Sequence, residues 1–290
     1  MANWYGYILM IAAAFFFAAS SIVCKYTYAT GLNPVTVLIL QYILALGISW
    51  GWVLVSGNRL LIPKKLIITM LLQGLIGSFL TSVLFFSALA KLDAALATLL
   101  LFTYPAIVLI YNAVFTGYSV TRYEKIALVM AIVGLAFCVN LPEISIDTVG
   151  ASAIGLVLAS AVTNAFLVVN GEKLLSKVAL PVVTAWSQTI SFVAILVVYQ
   201  PLWMAEIALT WYQIELLVTG GLVLLLPIML YYAGIKRIGS GISSIISTAE
   251  IPLTIIMAWI LLGETLNLLQ ALGGILIMLS VVVLYYCGTE

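Results

Sequence analysis

The sequence contains no histidine at all, which removes imidazole-based metal sites, proton relays and catalytic triads from consideration. Charge is almost as scarce. Only 7% of the 290 residues are Asp, Glu, Lys or Arg, against about a quarter in a soluble domain. A chain that is 65% hydrophobic, with mean hydropathy +1.26, has too little polar side chain to coat a surface facing water. Three cysteines, Cys24, Cys138 and Cys287, show no metal spacing and read as small packing residues. Aspartate occurs only at Asp93 and Asp147, so the clustered acids of prenyl-transfer chemistry are missing. No Walker A loop is present, which excludes ATP as the direct energy source. No metal, cofactor or nucleic-acid partner is expected.

What fills the chain instead is long apolar runs. A helix needs about 20 apolar residues to cross the hydrocarbon core. Ten such spans fit, at 4–28, 34–55, 66–90, 93–116, 124–141, 150–171, 180–200, 212–235, 240–262 and 266–287. The breaks carry turn and charge signals: TGLNP, SGNRLLIPKK, VTRYEK, NLPEISID and IKRIGSG. The runs are too long and too uniformly apolar for barrel strands. The first run, IAAAFFFAASS, lacks a basic segment before it and reads as a span, not a signal peptide. The expected fold is an all-α integral membrane protein.

Cationic residues in short loops orient the spans. With the N-terminus cytoplasmic, inner loops hold Arg59, Lys64, Lys65, Arg122, Lys125, Lys173, Lys177, Lys236 and Arg237, and the outer side holds only Lys25 and Lys91. Both termini are therefore expected in the cytoplasm, in a multi-pass cell-membrane protein that is monomeric or homodimeric. Trp4, Trp203 and Trp211 fall near span ends, as interfacial aromatics do.

The chain also repeats itself. A shift of 146 residues lays LFFSALAKLDAALATLLLFTYP on LYYAGIKRIGSGISSIISTAEI and brings Gly74 onto Gly220 and Gly117 onto Gly263. A shift of 147 brings Pro34 onto Pro181 and Gln41 onto Gln188. Two copies of five spans each, residues 1–146 and 147–290, follow. Five is odd, so the second copy enters the membrane from the opposite face, an inverted repeat with its substrate site near the midplane.

The stretches LFFSALAKLDAALATLLLFTYPAIVL and IISTAEIPLTIIMAWILLGETLNLLQALGGILIM resemble the two EamA repeats of the drug/metabolite transporter superfamily. The resemblance implies ten helices in two inverted five-helix bundles, a central cavity, alternating access, and export of amino acids or similar small metabolites. Uptake through the same fold is the alternative in direction, and an intramembrane enzyme the alternative in class.

Candidate site residues are the polar groups at mid-span. Glu250, in STAEIPLT, lies about eleven residues from either end of its span. An acid there costs about 3 kcal/mol on insertion scales, so it faces a cavity or a partner. It either binds substrate or a proton, or it locks neighbouring helices. Pro252 opens the helix one turn earlier, near Thr248 and Ala249. Tyr104 occupies the equivalent place in the first copy, within reach of substrate or of Glu250. Gln41 and Gln188, equivalent to each other, suit recognition of a carboxylate or amide and equally suit interhelical bonding. Thr163 and Asn164 form another polar set, Trp186 and Phe17 are candidate aromatic walls, and Ser247 belongs to a small-residue stripe with Ser240, Ser243 and Ser244. No Lys or Arg lies at mid-membrane, which disfavours phosphate esters. The expected substrate is a small cationic, zwitterionic or neutral molecule, with protons as a coupling partner if Glu250 carries one.

Overall fold

The structure, a computed structural model, describes residues 4–58, 60–89, 94–139, 151–201, 207–263 and 265–287. All regular structure among them is helical: α1 (Trp4–Ala29), α2 (Pro34–Val55), α3 (Ile67–Leu72), α4 (Thr81–Leu89), α5 (Ala94–Leu101), α6 (Tyr104–Phe115), α7 (Arg122–Cys138), α8 (Ala151–Leu175), α9 (Leu180–Tyr199), α10 (Trp211–Ile246), α11 (Glu250–Leu262) and α12 (Leu268–Cys287). A π-helical stretch, Gln73–Leu80, joins α3 to α4, and a 3-10 turn, Ser247–Ala249, joins α10 to α11. In lipid the backbone must satisfy its own hydrogen bonds, and a helix does so within one segment.

Helix starts are set by side chains that take up free backbone donors. Asn33 accepts from the Val35 amide at 2.9 Å, with Pro34 behind it as the first helical residue. Thr121 and Glu124 close a capping box at the start of α7, and Asn267 and Gln270 exchange the same pair of bonds at the start of α12. These two pairs are 146 residues apart. Gly117 (φ 69°) and Gly263 (φ 68°), also 146 apart, take the left-handed conformation just before them.

Among the described residues, eight helical segments are long and apolar enough to cross a membrane. One of them, Trp211–Leu262, has 52 residues, about 78 Å of helix against a hydrocarbon core of about 30 Å. The sequence predicts a break in its middle, at IKRIGSG, and the structure breaks the helix there at Gly239. Gly239 alone redirects the chain, with φ 80° and ψ 166°, a conformation open essentially to glycine. The predicted boundary between copies, at 146/147, lies outside the described residues, as do Arg59, Lys91, Asp93, Asp147 and Trp203.

α1 packs along α10, α7 along α12, and α4 along α8. α2 lies against α9 and α10, and the π-helical stretch lies against α8 and α9. One core cluster runs through Met10, Leu135, Ile245, Ile277 and Leu284, all fully buried. At the α7–α12 seam the backbones nearly touch. A Cβ on Gly273 would overlap the Gly134 carbonyl and fall 2.7 Å from the Cys138 amide, so only glycine fits. Cys138 is buried in this seam, and all three cysteines are free thiols. Large apolar side chains such as Val55, Ile68 and Phe115 point outward, where lipid replaces water. Trp4 and Trp211 are exposed at helix ends.

Candidate transport cavity

Two helix breaks at equivalent positions build the site. α5 ends at Leu101, Phe102 and Thr103 form a turn, and α6 starts at Tyr104 with Pro105 behind it. In the other half the 3-10 turn Ser247–Ala249 leads into α11, which starts at Glu250 with Pro252 two residues on. Proline has no amide hydrogen and cannot complete the preceding turn, so each helix restarts instead of running through. The restart is tolerable at membrane depth only because protein and a cavity surround it.

That cavity has a volume of about 400 Å³. It is lined by Glu250, Tyr104, Ser247, Gln188, Asn164 and Phe17, which brings six of the nine candidate residues around one space. The Tyr104 hydroxyl hydrogen-bonds the Ser247 hydroxyl, so the tyrosine joins the turn before Glu250 and not the acid itself. The Glu250 carbonyl accepts from the Thr254 hydroxyl at 2.8 Å. Its carboxyl group faces the cavity with no hydrogen-bond donor from the described residues. None of the lining residues is Lys or Arg.

Gln188 is buried, and its Oε1 accepts from the Ser49 hydroxyl at 3.1 Å while its Nε2 has no partner. Gln188 thus contributes to the cavity wall while its unpaired amide nitrogen is itself buried. Three candidates stand elsewhere. Gln41 is buried against Gly220, where a Cβ would collide with its amide; its Nε2 also lacks a partner, but it does not line the cavity. Thr163 is one layer behind, accepting from Thr81 at 2.7 Å and donating to the Ser160 carbonyl at 2.9 Å. Trp186 points away from the cavity: its indole stacks edge-on against Trp50 at 5.4 Å and donates to the Leu60 carbonyl.

The sequence reading missed much of the wall. Tyr42, Phe102, Tyr231 and Tyr232 line the same space, as do Ser78, Thr81, Ser82, Thr184 and Ser187. With Phe17 and Tyr104 they make a cavity of aromatic faces and hydroxyls around a single acid. Tyr231 and Tyr232 were visible as the repeat partners of Phe85 and Phe86, where hydroxyls replace hydrogens. The remainder carry no signal, because serine and threonine are ordinary packing residues of membrane helices.

Two layers of polar bonds lie beside the cavity, toward the face where α1 begins and α3 begins. In the first, the Gln73 amide donates to the Tyr232 hydroxyl at 2.9 Å and to the Leu167 carbonyl at 3.0 Å, and accepts from Asn170 at 2.7 Å. In the second, Asn112 donates to the Ser240 hydroxyl at 2.9 Å, and the Ser240 amide donates to the Glu172 carboxylate at 3.2 Å. Glu172 thereby caps the helix that begins after Gly239. A separate pocket of about 320 Å³, lined by Asn112, Tyr118, Glu172, Lys173 and Ser240, opens beyond this layer. The fully buried Glu124 accepts from Tyr118 at 2.7 Å there. Burial, and then that bond to Glu124, push the Tyr118 phenol above its ordinary range, so it stays protonated and donating. Among the described residues no three His, Cys, Asp or Glu side chains converge as a metal site.

An all-helical body with several membrane-crossing segments and a polar hollow inside is a multi-pass membrane protein built around a small-molecule cavity. The profile of the EamA-like transporter family matches residues 4–140 and again residues 151–286. The chain belongs to that family and is a membrane transporter, with a small-molecule substrate and a lipid surround. A Bacillus subtilis (strain 168) protein described as an uncharacterized transporter, YcbK, is 27% identical over 282 residues, covering 92% of this chain and 88% of its own. A solved crystal structure superposes with TM-score 0.81 at 16% identity, over 98% of this chain and 99% of that one, which shows a shared fold.

Proposed function

We propose that this transporter is a secondary carrier that moves a small cationic, zwitterionic or neutral metabolite by alternating access through the Glu250 cavity. The observation that carries the reading is the Glu250 carboxyl itself. It opens into an internal space lined by no Lys or Arg, and the described residues offer it no donor. A buried acid without a partner is costly, so a cationic group of the substrate or a proton completes it. Aromatic faces around it favour an ammonium group through cation–π attraction. The unpaired Gln188 amide, once its buried nitrogen turns toward the cavity, suits a carboxylate or carbonyl at the other end of the same molecule, which favours a zwitterion such as an amino acid.

The proposed frame is ten spans in two inverted halves, residues 1–146 and 147–290, with both termini cytoplasmic and export as the direction. Supporting it are the two family matches, the paired breaks at Tyr104 and Glu250, the paired left-handed glycines and the paired helix caps, all offset by 146 residues. The second and third helical segments of each half also exchange contacts across the halves. Gly220 of α10 seats on Gln41 of α2, and Gly74 of the π-helical stretch seats on Ser187 and Ile190 of α9. In the membrane, the proposed inner loops carry the cationic excess described above.

A thermal-shift screen over amino acids, amines, nucleosides and sugars at two pH values is expected to single out compounds bearing an amine. Flux of the best hit into proteoliposomes then tests the site. Glu250→Gln is expected to abolish flux or its pH dependence while the protein remains monodisperse; flux and pH dependence equal to those of the parent would refute the role given to Glu250.

A further inference from the structure

Among the described residues, no hydrogen bonds repeat the two polar layers beside the cavity at the 146-residue offset. Each joins residues from both halves: Gln73 to Tyr232 and Asn170 in one, Asn112 to Ser240 in the other. The first is dry, since Gln73 is fully buried and Asn170 and Tyr232 nearly so. Under the 146-residue offset, Gln73 corresponds to Thr219, Tyr232 to Phe86, Asn112 to Ala258 and Ser240 to Ala94. The opposite end of the path therefore cannot form the same bonds. An inverted repeat with identical halves would favour neither face, whereas these substitutions place directional bonds across one face only.

The geometry points to a latch: the Gln73–Tyr232–Asn170 layer and the Asn112–Ser240–Glu172 layer shut the transport path on the face bearing Lys64 and Lys173, and the unloaded protein rests with that face closed. Gly239 supplies the hinge, because its backbone breaks the helix there, and the first amide and first hydroxyl beyond it are held by Glu172 and Asn112. When those bonds release, the pocket beside Ser240 and Tyr118 becomes continuous with the central cavity. The idea rests on the alternating-access reading above, but its test needs no transported substrate.

The test uses the full chain in membrane vesicles, with Cys24, Cys138 and Cys287 replaced by alanine. Asn164→Cys is a reporter in the cavity wall and Lys177→Cys an exposed control for sidedness. The probe is a small trimethylammonium methanethiosulfonate, applied to either face. With the latch intact, the cavity reporter is expected to react at least about tenfold more slowly from the Lys177 face than from the opposite face. Gln73→Ala with Asn112→Ala is expected to raise the Lys177-face rate about tenfold, since several buried hydrogen bonds that favour one state are lost. Asn112→Ala alone, with the dry layer left in place, carries the test if the double variant does not fold. Oxidising Asn112→Cys with Ser240→Cys to a disulfide is expected to return the Gln73→Ala protein to the slow rate.

Equal rates from both faces in the latched protein overturn the closed resting state. Unchanged Lys177-face rates in the variants, or fast labelling that persists through the disulfide, overturn the latch itself. Absence of flux for every compound screened would instead remove the transport reading and leave the labelling result standing.

Discussion

Two helix breaks, at Tyr104 and at Glu250, carry different chemistry. At Leu101–Tyr104 the chain restarts on a tyrosine followed at once by proline, and the hydroxyl is spent on Ser247. At Ser247–Glu250 it restarts on an acid, with proline two residues on, and the carboxyl has no donor among the described residues. One half thus supplies structure to the other: Tyr104 steadies the turn from which Glu250 projects. A duplicated backbone lets one copy keep the packing role while the other takes on an ionisable group. The fold is symmetric where helices cross, and asymmetric where a molecule would bind.

Substitutions at matched positions sharpen or break this contrast. The largest effect is expected from Glu250→Gln, with flux falling to background in proteoliposomes while thermal unfolding in detergent stays within a few degrees of the parent. Next comes the glutamine pair. Gln188→Met removes the unpaired amide of the cavity wall and is expected to weaken substrate binding about tenfold by calorimetry, the worth of one hydrogen bond to a charged group. Gln41→Met, its repeat partner outside the cavity, should change binding less than about twofold; a similar loss at both would erase the distinction between the halves. Tyr104→Phe keeps the ring and deletes the bond to Ser247. A drop in flux of about threefold is expected, near the low end for one neutral hydrogen bond, with Glu250 still titrating the transport rate. The smallest effects belong to the helix caps. Thr121→Ala and Asn267→Ala should each cost about 1 kcal/mol of stability and leave flux unchanged. Denaturation in mixed micelles would show whether these two equivalent caps weigh the same.

Legibility followed the physics of each feature. The helical class was readable because lipid admits few backbone solutions and the composition is extreme. Glu250 and Tyr104 stood out for a simple reason: a polar group between hydrocarbon neighbours is expensive, and a proline beside it marks a break. The break at IKRIGSG was legible from its glycines and charges; its shortness was not, because a single glycine in an unusual conformation redirects the chain there. Trp186 was misplaced because an aromatic at mid-span fits a cavity wall, a helix seam or lipid equally well by sequence. The bond to the Leu60 carbonyl, which decides its position, joins residues 126 apart. Gln73 and Asn112 escaped notice, since a lone amide in a membrane helix signals interhelical bonding without naming its partner.

By itself, then, the sequence determined the solvent the protein lives in, the approximate edges of most helices, the 146-residue register, and the acid set among apolar neighbours. These are local or periodic properties, fixed by transfer free energies and backbone hydrogen bonding within a segment. Only the tertiary structure decided which of two equivalent glutamines meets the cavity, which hydroxyl satisfies Tyr104, and on which face the polar layers close. Those outcomes depend on distances between segments more than 90 residues apart, such as Gln73 with Asn170, and on packing that permits a Cβ at one crossing and forbids it at another. Periodicity along a helix says which groups share a face. It cannot say what that face meets.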